Sequence, residues 1–158
     1  MTLNQNSDDL FLNIGIDSIG FHAPRFYLNL DNLALKRGVD PGKYKFGLMA
    51  REIRIPEMGE DVVSLGTKAA FNALLRAKTD PKEVDAVFVG TETSVYAVKS
   101  VANIIKNTLG VKENCITQDV SNACAGGTLA ILNAISLIEM GVIEKALVIP
   151  TDIASYRL

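Results

Sequence analysis

The sequence predicts an α/β domain in which helices are layered on a largely parallel sheet. Short apolar runs with strand character alternate with longer segments of helical period, and Gly or Pro marks most of the joins. Alternation of this kind is typical of parallel sheets with helical crossovers. Because the carboxyl ends of parallel strands meet at one edge, we expect the chemistry at the strand ends that carry GTETS, DVSNAC and PTDIASY.

Composition limits the classes of function. The chain has 158 residues, 48% hydrophobic and 22% charged, which suffices for one globular domain behind a polar tail at residues 1–10. A net charge of -2, without a cluster of Lys and Arg, argues against a nucleic-acid partner. Two cysteines make neither a disulfide framework nor a zinc site, and we expect no metal and no cofactor. No apolar run reaches about 18 residues and no secretory signal is present, so we expect a cytoplasmic protein without a membrane span.

The N-terminal part of the chain predicts one strand and two helices. Apolar alternation indicates the strand, which Gly15 and Gly20 weaken. A short helix closed by Gly38 and a longer helix stopped by Asp80-Pro81 follow, separated by a loop with a possible short strand near Ile53. The predicted ranges are Leu12–Phe21 for the strand, about Leu30–Arg37 and Asp61–Lys78 for the helices, and Phe46–Glu60 for the loop.

The C-terminal part continues the alternation. An apolar run ending at Gly90 predicts a strand buried on both faces, and a helix with one apolar face ends at Gly110. Strands within NCITQDV and EKALVIPTDIAS flank a helix that begins after Cys124. Apolar residues cover the whole circumference of that helix. We therefore predict that it is buried on all sides, against another half of the protein or another subunit.

Cys124 lies where a strand end meets the entrance of this apolar helix. The free N–H groups of a helix N-terminus favour thiolate over thiol and can stabilise the oxyanion of a thioester. The neighbouring Ala and Gly residues leave room for a long acyl group. These features predict a nucleophile that accepts an acyl group. The alternative is an inert core thiol, which is what we expect of Cys115.

Glu92 follows the buried strand and is expected at the same sheet edge as Cys124. A carboxylate beside a thioester can remove a proton from the acyl α-carbon and later protonate an alkoxide. The alternative is a solvated loop carboxylate. His22 is better explained as a packing or surface residue than as a catalyst, and motifs for phosphate loops, metals and Ser-His-Asp chemistry are absent.

From Ile14 to Arg157 the chain resembles 3-hydroxy-3-methylglutaryl-CoA (HMG-CoA) synthase, of the thiolase-like superfamily. The segments that carry the resemblance are GVDPGKYKFGL, VGTETSVYAVKS, SNACAGGTLAI and TDIASY. Cys124 lies 32 residues after Glu92, and Tyr156 lies 32 residues after Cys124, as in the shorter members of the family. The resemblance implies a thiolase-like layered fold with a mostly parallel, mixed sheet, of which residues 11–158 are the first of two duplicated halves.

The resemblance also implies a mechanism. Cys124 would take the acetyl group of acetyl-CoA as a thioester, and Glu92 would be the general acid/base in its condensation with acetoacetyl-CoA. Asp152 and Tyr156 would shape the pocket, and Asp40 would contact the CoA arm. The alternative for all three is a structural role in a helix cap, in the core or in a loop. A homodimer is implied, as is a His in the second half that has no counterpart in this chain. We therefore expect the 158 residues alone to be inactive.

Other condensing enzymes are the nearest alternatives. β-Ketoacyl-acyl-carrier-protein synthase III has a similar nucleophile segment, and Ala125 matches that enzyme better than it matches most HMG-CoA synthases. That family has no Glu at the position of Glu92, which favours HMG-CoA synthase. A polyketide β-branching enzyme that uses an acyl-carrier protein and a non-catalytic thiolase-like scaffold are further alternatives.

Overall fold

A computed structural model describes residues 14–157 of the chain, apart from the side chains of residues 156 and 157. It contains two compact units, one formed by Val62–Asp152 with the segment up to His22, the other by Ala23–Asp61 with the residues from Ile153. The elements are β1 (Phe26–Asn29), α1 (Leu30–Arg37), β2 (Glu52–Ile55), α2 (Val62–Ala77), β3 (Ala86–Gly90), α3 (Val101–Leu109), β4 (Ile116–Val120), α4 (Gly126–Glu139) and β5 (Ala146–Pro150). Short helical turns lie at Lys43–Gly47, Pro81–Glu83, Ala123–Ala125 and Ala154–Arg157.

β3 is the central strand of a three-stranded parallel sheet in the first unit. It pairs with β4 and β5, and Ala86 is aligned with Ile116 on one side and with Ala146 on the other. Every residue of β3 is buried, so the prediction of a strand buried on both faces is confirmed. Its Val and Phe residues suit this position because branched and aromatic side chains pack well on a pleated surface.

Helices cover both faces of this sheet. Ala86 and Phe88 pack with Ala130 and Ala134 of α4 in one hydrophobic cluster. Val87 and Val89 point to the opposite face because successive strand residues alternate. On the α2 side, Gly66 permits close packing, since a Cβ there would lie 3.0 Å from a methyl carbon of Ile105 in α3. The predicted helices α2, α3 and α4 are confirmed, with ends within a few residues of those expected.

α4 begins almost in backbone contact with the end of β3. A Cβ added to Gly90 would lie 2.6 Å from the backbone nitrogen of Gly127, and one added to Gly126 would lie 2.8 Å from the carbonyl oxygen of Val120. Side chains cannot be accommodated at such distances without moving the backbone. These glycines therefore let the start of α4 lie directly on the carboxyl edge of the sheet.

The described chain buries one side of α4. Its small residues Gly126, Ala130 and Ala134 are buried, whereas Ile131 and Leu132 are 39% and 52% exposed. The described part of the chain supplies only the sheet side of the helix. That another half of the protein or another subunit buries the remaining side stays a prediction.

The N-terminal segment differs from the prediction. The described residues of the predicted strand Leu12–Phe21 form no strand, and its first two residues lie outside the described part of the chain. The segment runs along α2, where the Ser18 hydroxyl donates to the carbonyl of Ala73 at 2.8 Å and Arg76 donates to the carbonyl of Ile19 at 2.9 Å. Helix groups thus take the place of a neighbouring strand as hydrogen-bond partners.

The second unit contains an antiparallel pair, β1 and β2, in which Phe26 is aligned with Ile55. The side-chain oxygen of Asn29 accepts a backbone N–H of α1 at 3.1 Å, and Gly38 ends that helix with a φ of 64°. The helix predicted at these bounds is confirmed, and so is the short strand that became β2. β1 was not predicted, because its four residues are too few to establish a period.

Asp85 joins the segments that lead into the strands, at the edge opposite the candidate site. One oxygen of its carboxylate accepts the backbone N–H groups of Glu144 and Lys145 at 2.8 and 3.0 Å, and the other pairs with Lys112. The hydrogen bond from Lys112 is the chief reason that the pKa of Asp85 is lowered to about 2, and the backbone N–H groups add to the effect. This carboxylate therefore stabilises the sheet in its ionised form.

Candidate functional site

The carboxyl ends of β3, β4 and β5 bring most of the predicted site residues together. The three strands stay in register to their last residues, so the chain leaves the sheet at one edge after each of them. Glu92 follows β3, the segment Ser121–Cys124 follows β4, and Asp152 follows β5. The predicted convergence of these strand ends is confirmed.

Asp152 holds the loop that carries Glu92. Its Oδ1 accepts the backbone N–H groups of Glu92 and Thr93 at 2.8 and 3.1 Å. The same oxygen accepts the hydroxyls of Thr91 and Thr93 at 3.1 and 2.8 Å. Side chains of this kind commonly organise turns by satisfying local N–H groups. The loop duty that the sequence left open for Asp152 is thus observed, and its predicted contact with substrate stays a prediction.

The carboxylate of Glu92 reaches the segment between β4 and Cys124. Its Oε1 accepts the backbone N–H of Ala123 at 2.5 Å and the hydroxyl of Ser121 at 2.9 Å. Ala123 immediately precedes Cys124, so the candidate acid/base lies beside the candidate nucleophile. The roles of the two residues stay predictions, while their neighbourhood is a feature of the structure.

Cys124 is exposed and lies in the short turn Ala123–Ala125 that leads into α4. The residue before it, Ala123, has a φ of 43°, a left-handed conformation that non-glycine residues adopt at some cost. Such a conformation persists only where the surroundings fix it. Here the N–H of Ala123 is bound to Glu92, and the start of α4 lies against β3.

The small residues around Cys124 form two groups. Gly126 and Gly127 serve the contact between α4 and the sheet, since a Cβ on Gly127 would lie 3.0 Å from the side chain of Pro150. Ala123 and Ala125 are exposed. The expectation that small neighbours leave room for an acyl group therefore rests on the two alanines.

A cleft of about 620 Å³ opens beside Glu92. Its lining residues are Thr91, Glu92, Ser94, Val95, Tyr96, Ala97, Val98, Lys99, Ser100, Asp119 and Ser121. Asp119 is fixed in the wall because its carboxylate accepts the backbone N–H groups of Val101 and Ala102 at 2.7 and 2.8 Å, which caps α3. Cys124 is not among the lining residues. The cleft therefore gives a small molecule access to Glu92.

The remaining predicted residues are Asp40, Tyr156 and Cys115. Asp40 belongs to the second unit, where its carboxylate accepts the N–H of Gly42 at 3.0 Å in a local turn. The side chain of Tyr156 is not described. Cys115 is half-buried, and burial raises the pKa of its thiol, in keeping with the inert role expected of it.

The described residues contain neither a metal-binding group nor a membrane-spanning helix. His, Cys, Asp and Glu side chains at positions 14–155 form no group of three or more that could hold a metal ion. None of the helices in the described part of the chain is long and apolar enough to cross a membrane.

Sequence reasoning missed Ser121. Its hydroxyl is one of the two donors to the carboxylate of Glu92 among the described residues, from 29 residues away along the chain. A small polar residue directly after a strand end and three positions before the candidate nucleophile was the available signal. Nothing in the local sequence shows which side chain such a hydroxyl will bind.

The geometry fits acyl transfer followed by proton transfer. The exposed thiol of Cys124, just before α4, is accessible to an activated acyl group. The backbone N–H groups of Ala125 and Gly126, which follow it, donate to the carbonyls of Asn122 and Ala123. A carboxylate held beside that thiol is placed to move a proton at the carbon next to the acyl carbonyl.

The chain is similar to a family model and to proteins of known name. The family model described as Hydroxymethylglutaryl-coenzyme A synthase N terminal matches residues 11–158. The Hydroxymethylglutaryl-CoA synthases of Archaeoglobus fulgidus and Methanocaldococcus jannaschii are 37% and 35% identical to the chain over 91% and 89% of its length. The chain spans only 42% and 41% of these two relatives.

Solved structures agree with this result. The chain superposes on MvaS in complex with 3-hydroxy-3-methylglutaryl coenzyme A with a TM-score of 0.75 and 36% identity, covering 81% of this chain and 31% of that one. For 3-oxoacyl-[acyl-carrier-protein] synthase III from Aquifex aeolicus VF5 the TM-score is 0.80 at 27% identity, with 89% of this chain and 45% of that one covered. The α/β fold with its parallel sheet is therefore thiolase-like.

Proposed function

The chain belongs to the hydroxymethylglutaryl-CoA synthase family of thiolase-like acyltransferases, and on that premise we propose that its protein condenses acetyl-CoA with acetoacetyl-CoA to HMG-CoA. The resemblance inferred from the sequence is confirmed. Because the chain spans about two fifths of the length of its curated relatives, the activity is proposed for the complete gene product that contains it.

The hydrogen bond between Glu92 and the N–H of Ala123 carries the proposal. It holds a carboxylate next to Cys124, in a chain whose family is named for a carbon–carbon condensation. A condensing enzyme needs both groups at one place, because the acyl group bound to the nucleophile must lose a proton before it can attack a second substrate.

The proposed reaction begins with acyl transfer. The thiolate of Cys124 attacks the carbonyl carbon of acetyl-CoA, the bond from that carbon to the CoA sulfur breaks, and CoA leaves with the electron pair and takes up a proton. We propose that backbone N–H groups near the start of α4 stabilise the oxyanion of this step. The product is acetyl-Cys124 and free CoA.

Condensation and hydrolysis complete the cycle. Glu92 removes a proton from the methyl carbon of acetyl-Cys124, and the resulting carbanion attacks the ketone carbon of acetoacetyl-CoA. The protonated Glu92 then returns its proton to the new tertiary alkoxide. Water cleaves the thioester to Cys124, which releases HMG-CoA and regenerates the thiol.

We also propose two features of the complete gene product. A homodimer and a second half that completes the pocket follow the family precedent, and light scattering of the complete gene product tests the dimer. We also propose that Asp40 contacts the CoA arm of the substrate and that Tyr156 forms part of the pocket wall.

Acylation of Cys124 is the primary test. The complete gene product is incubated with isotopically labelled acetyl-CoA, and peptides are examined by mass spectrometry. We expect an acetyl mass on Cys124, its loss in Cys124→Ala, and its retention in the matched control Cys115→Ala. An unlabelled Cys124 in the wild-type protein, with the substrate intact, contradicts the proposal and favours a non-catalytic scaffold.

A second candidate function differs in the acceptor. The exposed Ala125 and the similarity to 3-oxoacyl-[acyl-carrier-protein] synthase III favour an acyl-carrier protein as the carrier of the acetoacetyl group. Supplying the acetylated protein with acetoacetyl-CoA or with acetoacetyl-carrier protein separates the two functions. We expect product from the CoA thioester, and product from the carrier protein alone supports the second function.

A further inference from the structure

We propose that Ser121 is a positioning residue for Glu92, and that its hydroxyl directs the carboxylate for the condensation step. This inference rests on the proposed function, because it assigns Ser121 a part in the reaction that Glu92 performs. Ser121 makes no contribution to acylation of Cys124 in this scheme. It lines the cleft beside Glu92, and in this scheme it acts on the reaction through Glu92.

The contacts of the carboxylate support this role. Both hydrogen bonds to it, from Ser121 at 2.9 Å and from Ala123 at 2.5 Å, go to the same oxygen, Oε1. Two donors on one oxygen fix the plane of the carboxylate and leave Oε2 as the oxygen that can receive a proton from a substrate. Charge-assisted hydrogen bonds of this kind are stronger than those between neutral groups.

The surroundings of Glu92 show why the donor matters. Glu92 is exposed, and packing side chains therefore do little to select its rotamer. Its backbone is held by Asp152, but that contact leaves the torsions of the side chain free. Ser121, which lies directly after β4, is the only side chain at positions 14–155 that donates to the carboxylate. Without this hydroxyl, the backbone N–H of Ala123 is the remaining donor from the described part of the chain.

The magnitude follows from the chemistry of proton transfer. General acid/base catalysis contributes about 10²- to 10⁴-fold, and misplacing a catalytic group by about 1 Å can cost on the order of 10²-fold. Ser121→Ala keeps the Ala123 donor and should therefore cost part of this contribution. We expect the condensation rate to fall about 10- to 100-fold.

The experiment uses the complete gene product and two readouts. The first is acetylation of Cys124 by labelled acetyl-CoA, and the second is the rate at which the preformed acetyl-protein reacts with acetoacetyl-CoA. Ser121→Ala is compared with Ser121→Thr, which retains a hydroxyl, and with Glu92→Gln. Ser136→Ala is the matched control, because that hydroxyl donates to the carbonyl of Leu132 on α4, away from the site.

The expected result is a split between the two readouts. Ser121→Ala should acetylate within about twofold of wild type yet condense about 10- to 100-fold more slowly, and Ser121→Thr should recover most of the rate. Equal condensation by Ser121→Ala and wild type overturns the inference while leaving the proposed function intact. A parallel loss of acetylation and condensation also overturns it, since that pattern indicates a merely structural role. A wild-type protein that never acetylates overturns the proposed function and this inference with it.

Discussion

Asp152 Oδ1 accepts the backbone N–H of Glu92 at 2.8 Å, so the residue that follows β5 fixes the loop that follows β3. The same oxygen binds both neighbours of Glu92, Thr91 and Thr93, through their hydroxyls. A residue just after the end of β5 thus helps to fix the position of Glu92, which follows the end of the neighbouring strand β3.

Removing this carboxylate should reduce condensation. We expect Asp152→Ala to lower kcat about 100-fold, because the loop that carries Glu92 loses its common acceptor. Asp152→Asn retains an oxygen in the same place and should lose about tenfold. Steady-state condensation assays of the complete gene product measure both. Equal losses in the two variants would show that the charge, and not the acceptor geometry, is what the loop requires.

Gly90 should resist substitution. Gly90→Ala would place a Cβ 2.6 Å from the backbone nitrogen of Gly127, and neither backbone can yield without moving α4 from the sheet. We expect the free energy of unfolding to fall by about 1–3 kcal/mol, as for other overpacked sites. Gly47→Ala is the control, because a Cβ there would meet nothing within 4 Å. Chemical denaturation of both variants gives the comparison, and a Gly90→Ala protein as stable as wild type would contradict the observed contact.

The pKa of Asp85 makes stability depend on pH. Because its pKa is lowered from 3.8 to about 2, the ionised form is favoured in the folded protein. The stabilisation is fully present above about pH 4, and it is lost as the pH falls from 3.8 toward 2. We expect about 2 kcal/mol at most from this group, because a shift of one pKa unit corresponds to about 1.4 kcal/mol.

Urea denaturation between pH 2 and 5 tests this dependence on Asp85. Asp85→Asn should be less stable than wild type at pH 5 and should lose less stability on acidification. Glu144→Gln, at an exposed acid near the same segment, should follow the wild-type curve. Identical acid dependence in the wild-type protein and Asp85→Asn would rule out this source of stability.

The two cysteines should differ in reactivity. Cys124 is exposed, whereas Cys115 is half-buried and burial raises the pKa of its thiol. We expect iodoacetamide at pH 8 to alkylate Cys124 at least about tenfold faster. Peptide mass spectrometry over a time course resolves the two sites. Prior acetylation with acetyl-CoA should protect Cys124 alone, and faster modification of Cys115 would contradict the assignment of exposure.

The 158 residues on their own should not condense acetyl-CoA with acetoacetyl-CoA. Glu92 and Cys124 are both exposed in this chain, whereas electrostatic stabilisation of a transition state is strongest where water is excluded. The assay compares the purified chain with the complete gene product at equal concentration. Normal turnover by the isolated chain would show that no further covering is needed.

Local signals explain what the sequence predicted well. The bounds of α1 could be read because Gly38 adopts a left-handed conformation directly after the last helical residue, and α3 ends at Gly110 in the same way. β3 could be recognised because a strand buried on both faces contains no polar residue to interrupt the run. The edge that carries Glu92 and Cys124 followed from parallel topology alone.

Non-local contacts explain what the sequence did not predict. Whether the segment Leu12–Phe21 pairs as a strand depends on a partner elsewhere in the chain, and its described residues bind α2 instead. The exposed side of α4 depends on what lies beyond the described residues. The bond from Ser121 to Glu92 joins segments far apart in sequence, and no local pattern specifies such a partner.

The contact between Gly90 and Gly127 holds α4 on the sheet without help from the side chain at position 125. Since main-chain atoms seat α4 on the sheet, we expect Cys124 to keep its place when the side chain at position 125 is changed. If the proposed function holds, we expect substitutions at the exposed Ala125 to change the preference between CoA and carrier-protein thioesters more than they change acetylation of Cys124.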